Sequence, residues 1–432
     1  MTLTASAPTR ARRGPLRGVT GRLATMAGPV MAAIAVQSLA NLVLHAALGR
    51  TLPPSDYGAL GAVLAAMTLV AVPLTALQTS AARLVASAGL TGRTGRAAMA
   101  RALRLLAPVV LLLVLLAAPV AGFLHLGSWW DAALLAPTVL VSGLLATARG
   151  VLLGTGRSGT VAGSYLVATL VRLGLALLLA VPLGVTGALL GTALGEAAAL
   201  MHAGRAAWPA SPGPTHRLSI GDVAGTTAVV TGLFAFTTID LFLARHFLPG
   251  ATSGAYVAAA TIGKTILALP AAAMSVAYPR LVASWTSRSG LRPALRSSLV
   301  VVGLPAMAGA ILVCLLPGLV LSVLYGAAFG AGTQDLVRAL ALIAGSSALV
   351  SVLAHAALAR GSRTALLPWA AAALQVVAIS SWHSTAMSVA LASAASLVLA
   401  LVLLGLTEVH HWRAADRADA AGAKPAGTLH RA

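Results

Sequence analysis

Acidic side chains are nearly missing from this sequence: 432 residues hold only 9 Asp and Glu, and charged residues of both signs make up 9%. A soluble domain carries about 25% charged residues, so a soluble enzyme and a disordered chain are both excluded. Cysteine is scarcer still. Cys314 stands alone inside an apolar run, which excludes a disulfide within the chain, a secreted disulfide scaffold and a Cys-based metal site. Aromatics make up only 4%, and lysine occurs only at 264 and 424. What remains is 59% hydrophobic, with mean hydropathy +0.92. The 29 Arg and Lys leave a net charge of +20, a balance that would suit nucleic acid. Here, however, the bases lie in short clusters between long apolar runs, and that pattern suits a membrane surface better.

One crossing needs roughly 20 apolar residues. Runs bounded by polar or Gly/Pro breaks predict about twelve spans, at 24–48, 58–88, 102–124, 132–153, 160–181, 184–204, 220–248, 253–283, 296–324, 334–358, 364–381 and 386–408. The bases alternate by loop. Arg93, Arg96 and Arg101 share one loop; Arg157, then Arg205 and Arg217, then Arg288, Arg292 and Arg296, then Arg360 and Arg363 mark the others on that side. The loops near 125–131, 182–183, 249–252, 325–333 and 382–385 hold none, and 49–57 holds only Arg50. The positive-inside bias puts both termini in the cytoplasm, and the excess of Arg over Lys suggests a GC-rich bacterial genome. Residues 1–23 form a basic segment that leads into a full-length span, so they read as cytoplasmic chain rather than a cleaved signal. Residues 409–432 read as a disordered cytoplasmic tail.

The chain repeats itself. Arg83-Leu84-Val85-Ala86 recurs as Arg280-Leu281-Val282-Ala283 at an offset of 197, which also relates Pro73 to Pro270 and Pro108 to Pro305. Asn41-Leu42 lines up with Asp240-Leu241 at 199. Six spans per repeat require parallel halves related by an axis along the membrane normal. The expected organisation is a first lobe at 24–204, a linker at 205–219 with Pro209, Pro212 and Pro214, and a second lobe at 220–408. Two such bundles around a central cavity have the layout of an alternating-access transporter.

The stretch from Asn41 to Ala86 resembles the opening of polysaccharide flippases, in which a Leu-Gly-Arg turn precedes a Pro-x-x-aromatic-Gly helix start. Gly254-Ala255-Tyr256 with Ala277-Tyr278-Pro279-Arg280, and Arg149 to Gly154 with Gly156-Arg157, are similar to other parts of that family. The resemblance covers most of residues 24–408. It implies the multidrug/oligosaccharidyl-lipid/polysaccharide (MOP) exporter superfamily and a MATE-like fold. It also implies that polyprenyl-diphosphate-linked oligosaccharides are moved outward. Lipid II flippases usually have more spans than twelve, which points away from lipid II.

Charges inside the bilayer are costly and need a partner or a wet cavity. Arg172 and Glu196 lie about 3 Å apart in depth, counted from the turn between their spans at 1.5 Å per residue. They read either as an ion pair or as cavity residues. Asp240, Arg245 and Lys264 form a second group, in which Asp240 and Lys264 can pair by snorkelling. Alternatively, Lys264 and Arg245 contact a diphosphate while Asp240 takes H⁺ or Na⁺, and Arg245 is near enough to one surface to snorkel there. Gln37, Asn41 and His45 form one stripe on the first span, and Ser347, Ser351 and His355 another on the tenth. Both are candidates for helix glue or cavity lining. Arg83, Arg149 and Arg280 sit at helix ends on the arginine-rich side, where they snorkel to headgroups or form a vestibule for phosphate.

No phosphate-binding Gly-Lys-Ser/Thr loop or catalytic constellation is present, so no enzyme activity and no cofactor are expected beyond coupling to an H⁺ or Na⁺ gradient or the membrane potential. The expected function is flipping of a lipid-linked oligosaccharide, with membrane lipids, a polysaccharide polymerase or glycosyltransferases as partners and no nucleic acid. The alternatives are a cation-coupled multidrug antiporter and a non-transporting scaffold for an envelope enzyme complex.

Overall fold

A computed structural model describes residues 16–88, 92–207, 221–285, 291–330 and 332–420, and every regular element among them is helical. The first half contains α1 (Leu16–Thr51), α2 (Pro54–Ala88), α3 (Gly92–Leu115), α4 (Ala117–Phe123), α5 (Trp129–Ala133), α6 (Leu135–Gly154) and α7 (Ser158–Ala207). The second contains α8 (Gly221–Phe236), α9 (Ile239–Phe247), α10 (Gly250–Ile266), α11 (Ala268–Trp285), α12 (Leu291–Ser298), α13 (Leu304–Leu315), α14 (Pro317–Tyr325), α15 (Thr333–Ala359), α16 (Leu367–Ser381) and α17 (Ala386–Ala420). Backbone N–H and C=O groups have no water to bond in hydrocarbon, so helices that satisfy themselves internally are the natural spanning element.

Among the described residues, ten stretches are long and apolar enough to cross a membrane. One of them, α7, has 50 residues, about 75 Å at 1.5 Å per residue, too long for a hydrocarbon core of about 30 Å. It folds back at Gly184, whose φ of 56° only glycine adopts without strain, and so supplies two crossings. The pair α10 and α11, joined at Leu267, adds another. The protein is a multi-pass membrane protein of about twelve spans in two bundles.

The first bundle is built by α2 on α6, α1 on α7 and α3 on α6; in the second, α15 is central, packing on α10, α13 and α17. Between the bundles, α2 meets α8, α9 and α10, and α1 meets α14. The α2–α10 crossing is backbone-close. A Cβ on Gly58 would come within 2.7 Å of Ser253 Oγ, and one on Gly254 would collide with the Pro54 carbonyl. Small residues are what allow membrane helices to approach this far.

The expected linker at 205–219 lies outside the described residues from 208 onward, as do 1–15 and 421–432. Two ends differ from expectation: α1 starts ahead of residue 24, and α17 continues past 408 through Ala420, so the first part of the expected tail is helix. Residues 413–420 are Ala, Arg and Asp. Alanine and arginine are strong helix formers, so leaving the membrane gives the helix no reason to stop.

Candidate functional site

The lobes are tied together at the arginine-poor end. Arg50, in the last turn of α1, donates from Nε to the Leu324 carbonyl at 2.9 Å and from Nη2 to that of Val323, both on α14. Arg245, in the last turn of α9, donates to the carbonyls of Leu124, His125 and Ser55 at 2.9, 2.7 and 3.0 Å, all in the first lobe, and to Ser253 Oγ at 3.1 Å. Between these clasps the Tyr57 hydroxyl lies 3.1 Å from both Tyr325 Oη and His45 Nδ1, and Phe329 packs on both tyrosine rings. The largest buried cluster straddles both lobes here, joining Leu48, Tyr57 and Leu60 to Tyr256, Leu321 and Tyr325. Apolar burial and charge-assisted bonds therefore close the same end.

Beneath this closure lies a chamber of about 550 Å³ between α1, α2, α8, α10 and α15. Most of its wall is apolar. Polar groups enter from Asn41 and His45 on α1, Thr68 on α2, Thr261 and Lys264 on α10, and Ser347 on α15. Two smaller spaces adjoin it. One, of about 200 Å³, reaches into the first lobe and is lined by Arg172, Glu196, Ser142, Thr138 and Thr192, sharing Asn41 and His45 with the chamber. The other, of about 40 Å³, holds Asp240, Lys264, Gln375 and Ser393, room enough for a water. Toward the arginine-rich end, a further cavity of about 570 Å³ lies between α2, α8 and α11, with Thr75, Thr79 and Arg83 along one face of α2 and Thr226, Thr227 and Tyr278 opposite.

The intramembrane charges meet differently from the expected pairs. Arg172 and Glu196 reach the same pocket but form no ion pair; Arg172 Nη2 donates to Asn41 Oδ1, and Glu196 Oε2 accepts from Ser142 Oγ at 3.5 Å. Asp240 and Lys264 also share a cavity without an ion pair. Asp240 is 7% exposed and opens α9, where the helix dipole favours a carboxylate. Its Oδ2 accepts from Tyr256 Oη at 2.9 Å, while Oδ1 has no hydrogen-bond partner among the described residues.

Other expected residues move out of the cavity lining. Arg245 is a clasp: with Nε and both terminal nitrogens bonded, it neither lines the chamber nor snorkels to the surface. Arg149 is buried between α6 and α7, donating to Ser164 Oγ at 2.9 Å with its guanidinium 3.6 Å from the Tyr165 ring centre. Serine and an aromatic face thus replace headgroup water around it. Arg83 and Arg280 are both exposed, and of the two Arg83 lines the vestibule-like cavity. On the α1 stripe, Asn41 and His45 line the chamber while Gln37 does not; Ser38 does. Ser347 and Ser351 line it too, whereas His355 bonds the Ser351 carbonyl at 2.7 Å and packs edge-on to Tyr278. Sequence reasoning missed Tyr57 and Tyr325, the chamber threonines, and Gln375 with Ser393. For Tyr57 a signal existed: at the offset of 199 it matches Tyr256, and both are fully buried.

No family model and no curated relative matches the sequence. Solved structures do match. A structure described as the lipid II flippase MurJ in an inward closed conformation superposes with a TM-score of 0.67 at 12% identity, over 87% of this chain and 86% of that one. A multidrug-resistance MATE transporter of the MOP superfamily, described as outward-facing, gives 0.63 at 16% identity over 94% and 98%. The chain has the MOP fold. A MOP-superfamily transporter from Pyrococcus furiosus gives 0.61 at 15% identity, over 91% of this MOP-fold chain and 96% of that one. At such identities the likeness establishes architecture and leaves the cargo to be argued from the chamber.

Proposed function

We propose that this MOP-fold protein is a transporter that flips a polyprenyl-diphosphate-linked oligosaccharide across a bacterial cytoplasmic membrane by alternating access. The observation that carries this reading is Lys264. It is a base on the wall of a largely apolar chamber, with no carboxylate in ion-pair contact among the described residues. An unpaired ammonium in such surroundings is costly and would be offset by an anionic cargo. Arg172 adds a second base beside the chamber. Positive-inside bias assigns the arginine-rich end to the cytoplasm, so the closed end would face outward. The vestibule with Arg83 would then admit a diphosphate from the inner leaflet, while the polyprenyl tail remains in lipid. Rocking of the lobes would break the Arg50 and Arg245 clasps and release the head outside.

The test is flipping of a fluorescent polyprenyl-diphosphate oligosaccharide in proteoliposomes. Lys264→Ala should lower the rate at least about tenfold, the loss of one charge-assisted contact. An unchanged rate at equal protein level would remove Lys264 from the path and with it the main support for an anionic cargo. Resistance to cationic drugs in a pump-deleted host, unaffected by Lys264→Ala, would favour the multidrug antiporter instead.

One observation bears on energy coupling. Asp240 Oδ1, partnerless beside a small cavity, is where a proton or Na⁺ would be taken up. Asp240→Asn should leave equilibrium exchange in place and remove the acceleration produced by an imposed gradient. Gradient-driven acceleration in that variant at the wild-type level would exclude Asp240 as the coupling site.

A further inference from the structure

The pocket beside the chamber is built for one polar ring. Its volume of about 200 Å³ would hold roughly seven waters at about 30 Å³ each, less than the ~300–1,000 Å³ of sites for drug-sized molecules. Leu64, Met67 and Leu74 form an apolar wall. The hydroxyl protons of Thr138 and Thr192 are given to the Leu134 and Ala188 carbonyls at 2.7 and 3.0 Å, so both oxygens remain acceptors. An apolar C–H face with hydroxyls along its edge is the surface of a sugar.

The charges narrow the choice. Arg172 gives one bond to Asn41, and among the described residues its Nε and Nη1 have no protein partner. Glu196 has only the long contact from Ser142. A diphosphate here would satisfy the guanidinium but face the Glu196 carboxylate, whereas Lys264 meets the chamber from the other lobe. A neutral ring would supply hydroxyl donors to Glu196 but no anionic acceptor for Nε and Nη1 of Arg172, which shares the pocket with Glu196 without bonding it. A ring with one carboxylate and free hydroxyls answers both groups, since a guanidinium fork matches a carboxylate.

Resting on the flipping function above, we propose that this pocket binds one carboxylated sugar ring of the glycan, with its carboxylate on Arg172 and its hydroxyls on Glu196 and Ser142. Lys264 then holds the diphosphate, and the protein selects acidic glycans.

Calorimetric titration of the purified full chain tests this with three short-chain prenyl diphosphates: one without sugar, one carrying a neutral hexose, and one carrying a hexuronic acid. The uronic acid probe should bind at least about tenfold tighter than the hexose probe, as expected for a hydrogen-bonded charge pair. Arg172→Gln should abolish that preference, and Arg172→Lys should retain part of it. Glu196→Gln should weaken both sugar probes and leave the bare diphosphate unchanged. Equal binding of the two sugar probes by the wild type overturns the proposal. So does a preference that survives Arg172→Gln, or a bare diphosphate that binds as tightly as the uronic acid probe. Failure of the flipping reading gives a different result: the bare diphosphate does not bind, and Lys264→Ala changes none of the three affinities.

Discussion

Arg172, on the spanning helix α7, and Arg360, which caps the end of α15, are in opposite circumstances. Arg360 grips Glu408 with two bonds of 2.5 and 2.6 Å, and the two side chains are 4% and 3% exposed. Arg172 has Glu196 in the same pocket and leaves it unpaired. Removing one member of a buried pair strands the other charge at a cost of about 3–5 kcal/mol. Glu408→Ala should therefore lower the melting temperature in detergent clearly. Glu196→Gln, which removes no ion pair and leaves an oxygen able to accept the 3.5 Å contact from Ser142, should cost clearly less. Equal losses in the two variants would mean that Glu196 is structural. From sequence, both glutamates are single acids within apolar runs. Their depths along the helices can be counted, but the direction each side chain takes around its helix cannot.

Helix α2 carries the relation between the lobes. Its first turns meet α10 through Gly58 and Gly61, and it also contacts α8 and α9. Gly254→Val would drive a side chain into the Pro54 carbonyl and hold the lobes apart at the arginine-poor end. The Arg245 clasp predicts a milder form of the same change. In a Cys314→Ser background, a cysteine at Thr68 in the chamber should be shielded from a membrane-impermeant maleimide applied at the arginine-poor face. Adding Arg245→Ala should make it reactive from that face, and unchanged protection would show that the tyrosine contacts alone maintain closure. Part of this was legible in advance. Apolar run lengths located the spans, and the shared offset of the prolines related spans two and eight. The break in span eight at Leu267 was not visible, because Pro73 sits inside a continuous α2 while its repeat mate Pro270 follows a break. A proline removes one backbone hydrogen bond, and the surrounding packing decides whether the helix bends or breaks.

Across the whole molecule, the number of spans, the membrane setting and the two parallel bundles follow from hydropathy, the alternation of arginine by loop, and the internal repeat. Each of these acts on one helix or loop at a time, so a linear sequence can carry it. A cleavable reporter fused to either terminus should be protected from protease added outside intact cells, as the positive-inside bias requires; digestion at either end would reverse the orientation of the chamber. The tertiary structure alone decided which end is closed, that Arg245 and Arg149 serve packing, and that Arg172, Glu196, Asp240 and Lys264 line cavities without ion-pairing. The reason is geometric. Counting residues gives a side chain's height in the bilayer, but contact depends also on helix rotation and on how two lobes meet. Those are set by packing among residues far apart in sequence, such as Arg50 with Leu324, 274 positions away, and Ser55 with Arg245, 190 away.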